Sequence, residues 1–308
     1  MNRFIRLRLL AMLLCLPFLL IFISGCGSSS QKKDEPPVYS PLQVLVPEAT
    51  GKETLGSSPM ILDVSNISQG YFIAQSDSSD LTCSLQIITL SGVLYSYFIA
   101  PGESATDTFT EGSGDYTITG YQQVQGDQYA ALYSETVTVQ LENDFLPFLY
   151  PNQYVNFTPD SKASQLALSL IDEDTVDVDA LQQIYDYVVS NLTYDYEKAD
   201  TVTTGYLPDV DETLKTGTGI CFDYAALTTA MLRSCDIPCK LQIGYAGDIK
   251  HAWIDVYIRS KGWVNQAVSF KGDTWTLMDP TFDSNSDDKE AIQDYIGDES
   301  NYTVQFTR

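Results

Sequence analysis

GTGICFDYAALTTAMLRSCDIPCKLQIGYAGDIKHAWIDVYI, residues 217–258, decides how the rest of the chain is read. Cys221 follows the Gly217-Thr218-Gly219 turn and opens a run in which Ala225, Ala226, Leu227, Ala230, Met231 and Leu232 predict a helix made for burial. Its thiol then sits at a helix N-terminus, where the partial positive charge of unpaired amides favours thiolate over thiol. Pro238 ends the helix. Lys240 to Gly244 reads as a strand, and after a Gly-Asp turn His251, the protein's one histidine, begins a second, HAWIDVYI.

Further on stands Trp275-Thr276-Leu277-Met278-Asp279-Pro280-Thr281. The ordered set of a helix-opening cysteine, a His-Ala-Trp strand and a Trp-x-x-x-Asp-Pro-Thr segment resembles the core of the transglutaminase-like superfamily, over roughly Asp177 to Asp283. The resemblance implies an α+β, papain-like thiol fold with a catalytic triad of Cys221, His251 and Asp279. Between Tyr257 and Trp275 the chain is longer than the direct hairpin common in the family. Upstream, NLTYDYEKADTVTTGYLPDVDETLKTGTG resembles the family's approach to the nucleophile, which makes Tyr194, Tyr206 and Asp211 candidates to line a substrate cleft, together with Trp253. The implied chemistry is acyl transfer from a protein or peptide amide through a thioester, with hydrolysis favoured over transamidation and no cofactor or metal required. The other class of reading is a catalytically silent transglutaminase-like scaffold in a cell-surface binding protein.

At the start of the chain, Arg3, Arg6 and Arg8 precede an uncharged apolar run from Leu9 to Ile23 and then Ser24-Gly25-Cys26. This is the pattern of an export signal, 1–25, with an uncleaved membrane anchor as the alternative, for which the apolar run is short, and the last residues resemble a bacterial lipobox that implies lipidation of Cys26. Two acyl chains on Cys26 anchor a protein stably at the outer face of the cell membrane. Cleavage removes three arginines and no acid, taking the net charge from −24 to −27. Such a surface is repelled by phosphate backbones and excludes nucleic acid as a partner. At the cell envelope, a peptidoglycan stem peptide is one candidate substrate.

The folded part keeps Cys83, Cys221, Cys235 and Cys239. Cys235 and Cys239, flanking Asp236-Ile237-Pro238, read as packing residues, with a mutual disulfide as the alternative. A lone C-x3-C and one histidine lack the ligand pairs of a zinc centre. Residues 26–58, with GSSSQKKDEPP, read as a flexible tether. Over 59–142 the hydrophobic period becomes two, with runs at 70–74, 85–90, 93–100, 116–121 and 129–141, which predicts a small β-sandwich of immunoglobulin-like type, taken as a spacer rather than a docking module. The prolines of NDFLPFLYPNQYVNFTPDS mark a boundary, after which 143–308 forms the second domain. Helices are predicted at 161–171 and 177–192, the latter capped by Asp177 or Asp179, and a last strand at 302–307 on the catalytic sheet.

Replacing Cys26 with Ser is expected to release the protein from membranes or leave an unprocessed precursor. Metabolic labelling with a fatty acid reads this directly; a wild-type protein that takes up no label and keeps residues 1–25 contradicts the lipidation.

Overall fold

The computed structural model describes residues 35–265 and 302–308, together with the backbone of the strands at 268–271 and 274–277. Cys26 and Asp279 lie outside the described residues. Two antiparallel four-stranded sheets form the first layer pair. One has the order β1-β2-β3-β6, from Thr54–Ser57, Met60–Asp63, Tyr71–Ser76 and Ser104–Thr108. The other has the order β5-β4-β7-β8, from Leu94–Ile99, Cys83–Ile88, Gly114–Gln125 and Gln128–Val139. Their inward residues, among them Met60, Leu62, Phe72, Leu85, Tyr116 and Ile118, close one core. Strands β1, β2 and β6 are absent from the sequence reading: β1 and β2 are only four residues each, and β6, SATDT, carries little apolar signal.

The second core belongs to helices and one sheet. Helices α1 (Lys162–Leu170), α2 (Asp177–Asn191), α3 (Tyr196–Thr201), α4 (Val210–Thr216) and α5 (Cys221–Ser234) precede the strands β11 (Cys239–Ala246), β12 (Ile249–Ile258) and β13 (Gly262–Val264). Two-residue strands β9 (Thr193–Tyr194) and β10 (Thr218–Gly219) pair in parallel just ahead of α5. With β16 (Tyr302–Thr307) the main sheet runs β13-β12-β11-β16, antiparallel throughout, so the final strand lies where its alternating pattern put it. After β13 comes a further hairpin, β14 (Val268–Lys271) with β15 (Thr274–Leu277), whose second strand includes Trp275.

Helix α5 is buried from Asp223 to Ser234, packed by β11 and β12 on one side and by α1, α2 and α4 on the other. Its last turn carries Arg233, fully buried, whose guanidinium donates to the carbonyls of Cys239 (3.0 and 2.8 Å), Tyr150 (2.7 Å) and Arg308 (2.9 Å). Burial pushes its pKa down to about 10, still leaving the group charged at neutral pH. Beside it Cys235 and Cys239 are free, buried thiols, as packing residues should be, and burial pushes both up to about 12. Gly244 makes the sheet possible at its far edge, because a Cβ there would stand 1.9 Å from the Thr303 carbonyl oxygen.

Two expectations differ from the structure. Residues 35–58 are not a loose tether: Val44 and Leu45 are buried, Tyr39 N donates to Asp236 Oδ2 at 3.1 Å, and Arg259 Nη2 donates to the Pro37 carbonyl at 3.3 Å. The polar average of the segment concealed a few apolar residues with a seam to fill. Asp177 does not cap α2, whose cap position is Val176; its carboxylate instead accepts from Arg259 N (2.9 Å) and Nη1 (2.5 Å), fastening the helix to the end of β12.

The sandwich and the helical part meet across Arg308. Its Nη1 donates to Tyr97 OH at 2.9 Å, its guanidinium lies 4.2 Å from the ring centroids of both Tyr95 and Tyr154, and Thr307 N donates to Tyr95 OH at 3.1 Å. Asp107 is buried near this charge, and desolvation outweighs the guanidinium's attraction, pushing its carboxyl up to about 8. A carboxyl whose folded pKa lies above its unfolded value holds a proton that the unfolded chain has released, so its contribution to stability falls as pH rises from about 4 to about 8. Asp107→Asn is therefore expected to flatten that fall, read as the urea midpoint at pH 5 and pH 8; an unchanged difference between the two would show Asp107 ionised throughout.

Candidate active site

The chain reaches Cys221 through tightly set local geometry. Asp209 caps α4 by accepting from the amides of Asp211 (3.1 Å) and Glu212 (2.9 Å), and Gly217 ends the helix in the left-handed conformation at φ +63°. The chain then pairs with Thr193–Tyr194 as β10 and turns directly into α5, with Ile220 at the cap position. A helix leaves its first amides without intrahelical acceptors, and here those amides belong to the turn that carries Cys221. Asp223, in the third helical position, reaches back to accept from Ile220 N at 2.8 Å.

Asp223 also anchors the wall beside the thiol. Its side chain is fully buried and accepts from Lys198 Nζ at 2.7 Å, while Tyr206 OH donates a very short hydrogen bond to its other oxygen. Lys198 Nζ donates to Tyr206 OH at 2.7 Å and closes the triangle. Burial pushes the Tyr206 phenol up to about 12, helped by its bond to Asp223. Desolvation opposes the Lys198 ammonium, but its hydrogen bonds to Asp223 and Tyr206 outweigh that and raise its pKa. The triangle thus ties α3 and the loop after it to the first turn of α5.

Cys221 and His251 border the same cavity, of about 520 Å³. Cys221 is half-buried, whereas Cys83, Cys235 and Cys239 are buried. His251 lies near the start of β12 opposite Gly244, its ring 6.3 Å from that of Trp253 and nearly parallel to it. Tyr194 and Tyr206 line the cavity as the sequence suggested. Trp253 and Asp211 are not among its lining residues. Trp253 is 2 % exposed and packs on Tyr302 with ring centroids 5.1 Å apart, so it supports β16 rather than substrate. Asp211 Oδ1 accepts from Ala163 N at 3.0 Å and caps the first turn of α1. Asp255, four residues beyond His251, accepts from Gln242 Nε2 at 2.5 Å; Thr307 Oγ1 donates to Gln242 Oε1 at 2.7 Å, which ties β16 to the sheet.

Residues 164–280 match the family described as the transglutaminase-like superfamily. They are a transglutaminase-like domain. No curated protein matches the chain. Solved structures similar to it include a candidate cysteine protease from Cytophaga hutchinsonii, 16 % identical over 83 % of this chain and 84 % of that one, with a TM-score of 0.37. Others are the periplasmic domain of TgpA from Pseudomonas aeruginosa (13 %; 74 % and 94 % covered; TM-score 0.33) and red sea bream transglutaminase (15 %; 70 % and 48 % covered; TM-score 0.26). Within the transglutaminase-like domain lie both Cys221 and His251, and Asp279 falls inside the matched range though outside the described residues.

Two groups of residues, one beside the cavity and one lining it, escaped the sequence reading. Asp223 was visible in principle, since an acid three residues into a helix is a capping-box position. The other group comes from the sandwich: Leu94, Ser96 and Phe98 of β5 line the cavity together with Gln153, Tyr154 and Arg308. Asp223→Ala leaves the Lys198 ammonium and the Ile220 amide without their acceptor and is expected to cost about 3 kcal/mol. Urea unfolding reads it; a loss under 1 kcal/mol would mean that the triangle does not hold the loop.

Proposed function

We propose that the chain is an exported, lipid-anchored thiol acyl-transfer enzyme that acts on peptide amide bonds at the cell envelope, hydrolysing them in preference to transferring the acyl group to an amine. The observation that carries this reading is a half-buried thiol at the N-terminus of a buried helix, bordering one cavity with the protein's only histidine, inside a transglutaminase-like domain. Cys221 Sγ attacks the amide carbonyl, and His251 takes the thiol proton and returns it to the departing amine. The carbonyl carbon is then held as a thioester on Cys221. Free amides of the first turn of α5, Cys221 N foremost, face the developing oxyanion. Asp279 fixes the tautomer of His251 and stabilises its charged form, completing the triad. Water resolves the thioester and regenerates the thiol. It is the default acceptor, and the cavity is large enough to admit it beside a peptide.

Lipidation of Cys26 would hold this chemistry at the extracytoplasmic face, within reach of envelope proteins and of peptidoglycan stem peptides. The preceding sandwich has the strand order β1-β2-β3-β6 against β5-β4-β7-β8, which suits an immunoglobulin-like assignment.

Incubating the purified protein with a peptide library, with and without a primary amine, and reading products by mass spectrometry separates hydrolase, transferase and silent scaffold. Cys221→Ala and His251→Ala are each expected to abolish turnover, and the double variant to lose little more, because residues that act as a unit are non-additive. Asp279→Asn is expected to keep the fold and part of the rate. Iodoacetamide near neutral pH is expected to label Cys221 ahead of the buried Cys83, Cys235 and Cys239. Turnover that survives Cys221→Ala would overturn the reading.

A further inference from the structure

Four exposed large apolar side chains border the Cys221 cavity: Leu94 (47 %), Phe98 (51 %), Val202 and Leu207 (both 37 %). They come from two walls. Leu94 and Phe98 stand on the outward face of β5, whose other face, Tyr95, Tyr97 and Ile99, is buried in the sandwich core. Val202 and Leu207 belong to the loop that the Lys198–Tyr206–Asp223 triangle holds against α5.

The strand's other surfaces are already committed. Its edge carbonyls at Ser96 and Phe98 accept from Tyr154 OH (3.3 Å) and Gln153 Nε2 (2.7 Å), so it does not present a bare edge for another strand to pair with. What β5 offers the cavity is therefore side chains, apolar ones in water, at positions where the usual outward face of a sheet is polar. Among the described lining residues there is no Asp or Glu, in a chain with 41 of them, so an apolar group entering between the walls meets no carboxylate.

From this we propose that Leu94 and Phe98 of the sandwich, facing Val202 and Leu207, form a subsite for a bulky apolar side chain of the peptide, next to the amide that Cys221 attacks. The inference rests on the acyl-transfer reading for its substrate, and it makes the sandwich a specificity-determining wall of the cleft instead of a spacer. An aromatic or branched side chain buried there gains enough to change selectivity about tenfold.

The test does not need turnover. Alkylation of Cys221 in the full chain by N-(2-phenylethyl)iodoacetamide is compared with alkylation by iodoacetamide, using mass spectrometry of the Cys221 peptide. The aromatic probe is expected to react about tenfold faster in the wild type. That ratio is expected to fall at least about fivefold in Leu94→Ala/Phe98→Ala, to recover in part in Phe98→Leu, and to stay unchanged in Val124→Ala, an exposed apolar residue of β7 in the same sandwich that does not line the cavity. A wild type that reacts equally with both probes, or a ratio untouched by the double variant, overturns the subsite. A protein that keeps the ratio but cleaves nothing in the peptide library retains the subsite and loses the proposed activity, so the two readings fail separately.

Discussion

A helix surrounded on every side can expose only its ends, and that constraint governs this molecule. Helix α5 is buried from Asp223 onward, so its first turn is the one place where its backbone and side chains can meet a substrate. Each end of the buried stretch carries a charge that had to find partners in the dry interior. At the start, Asp223 is answered by Lys198, Tyr206 and the Ile220 amide. At the other end Arg233 is answered by carbonyls from the linker, β11 and the residue after β16. These obligations fasten the approach loop to one end of the helix and the sheet and linker to the other. The position of the thiol follows from them.

The same economy explains the seam with the sandwich. Strand β5 is apolar on both faces: one face fills the sandwich core, the other looks into the cavity. Arg308, caged by Tyr95, Tyr97 and Tyr154, reaches from the end of the main sheet into that strand and its neighbours. The two layers of architecture therefore share a wall, which a boundary drawn at the proline-rich linker would not suggest.

How much of this the sequence revealed depends on the range of the interactions involved. The α5 helix, the His251 strand and the last strand were legible because hydrophobic period and turn residues act within a few positions. Cys221, His251, Tyr194 and Tyr206 were legible through their resemblance to a family, and the structure brings these four to one cavity. Asp211 and Trp253 were misjudged, since neither a helix cap on α1 nor a tryptophan packed under Tyr302 can be read from the residues around them. The packing of residues 35–58 was hidden by composition, because two buried aliphatics do not alter the average of a polar segment. Leu94 and Phe98 left a readable trace, a strand apolar on both faces, but what the second face looks into is set more than a hundred residues later.

That separation fixes when the cavity can exist. Its lining draws on residue 94 at one extreme and on Phe306 and Arg308 at the other, and the hydrogen bonds that join them span more than two hundred positions. Contacts of such range close late, after the local helices and hairpins have formed. A chain still being made carries Cys221 and His251 before it carries β16 and Arg308, so the thiol precedes the finished pocket. The lining is complete only once β16 and Arg308 have docked against the sandwich.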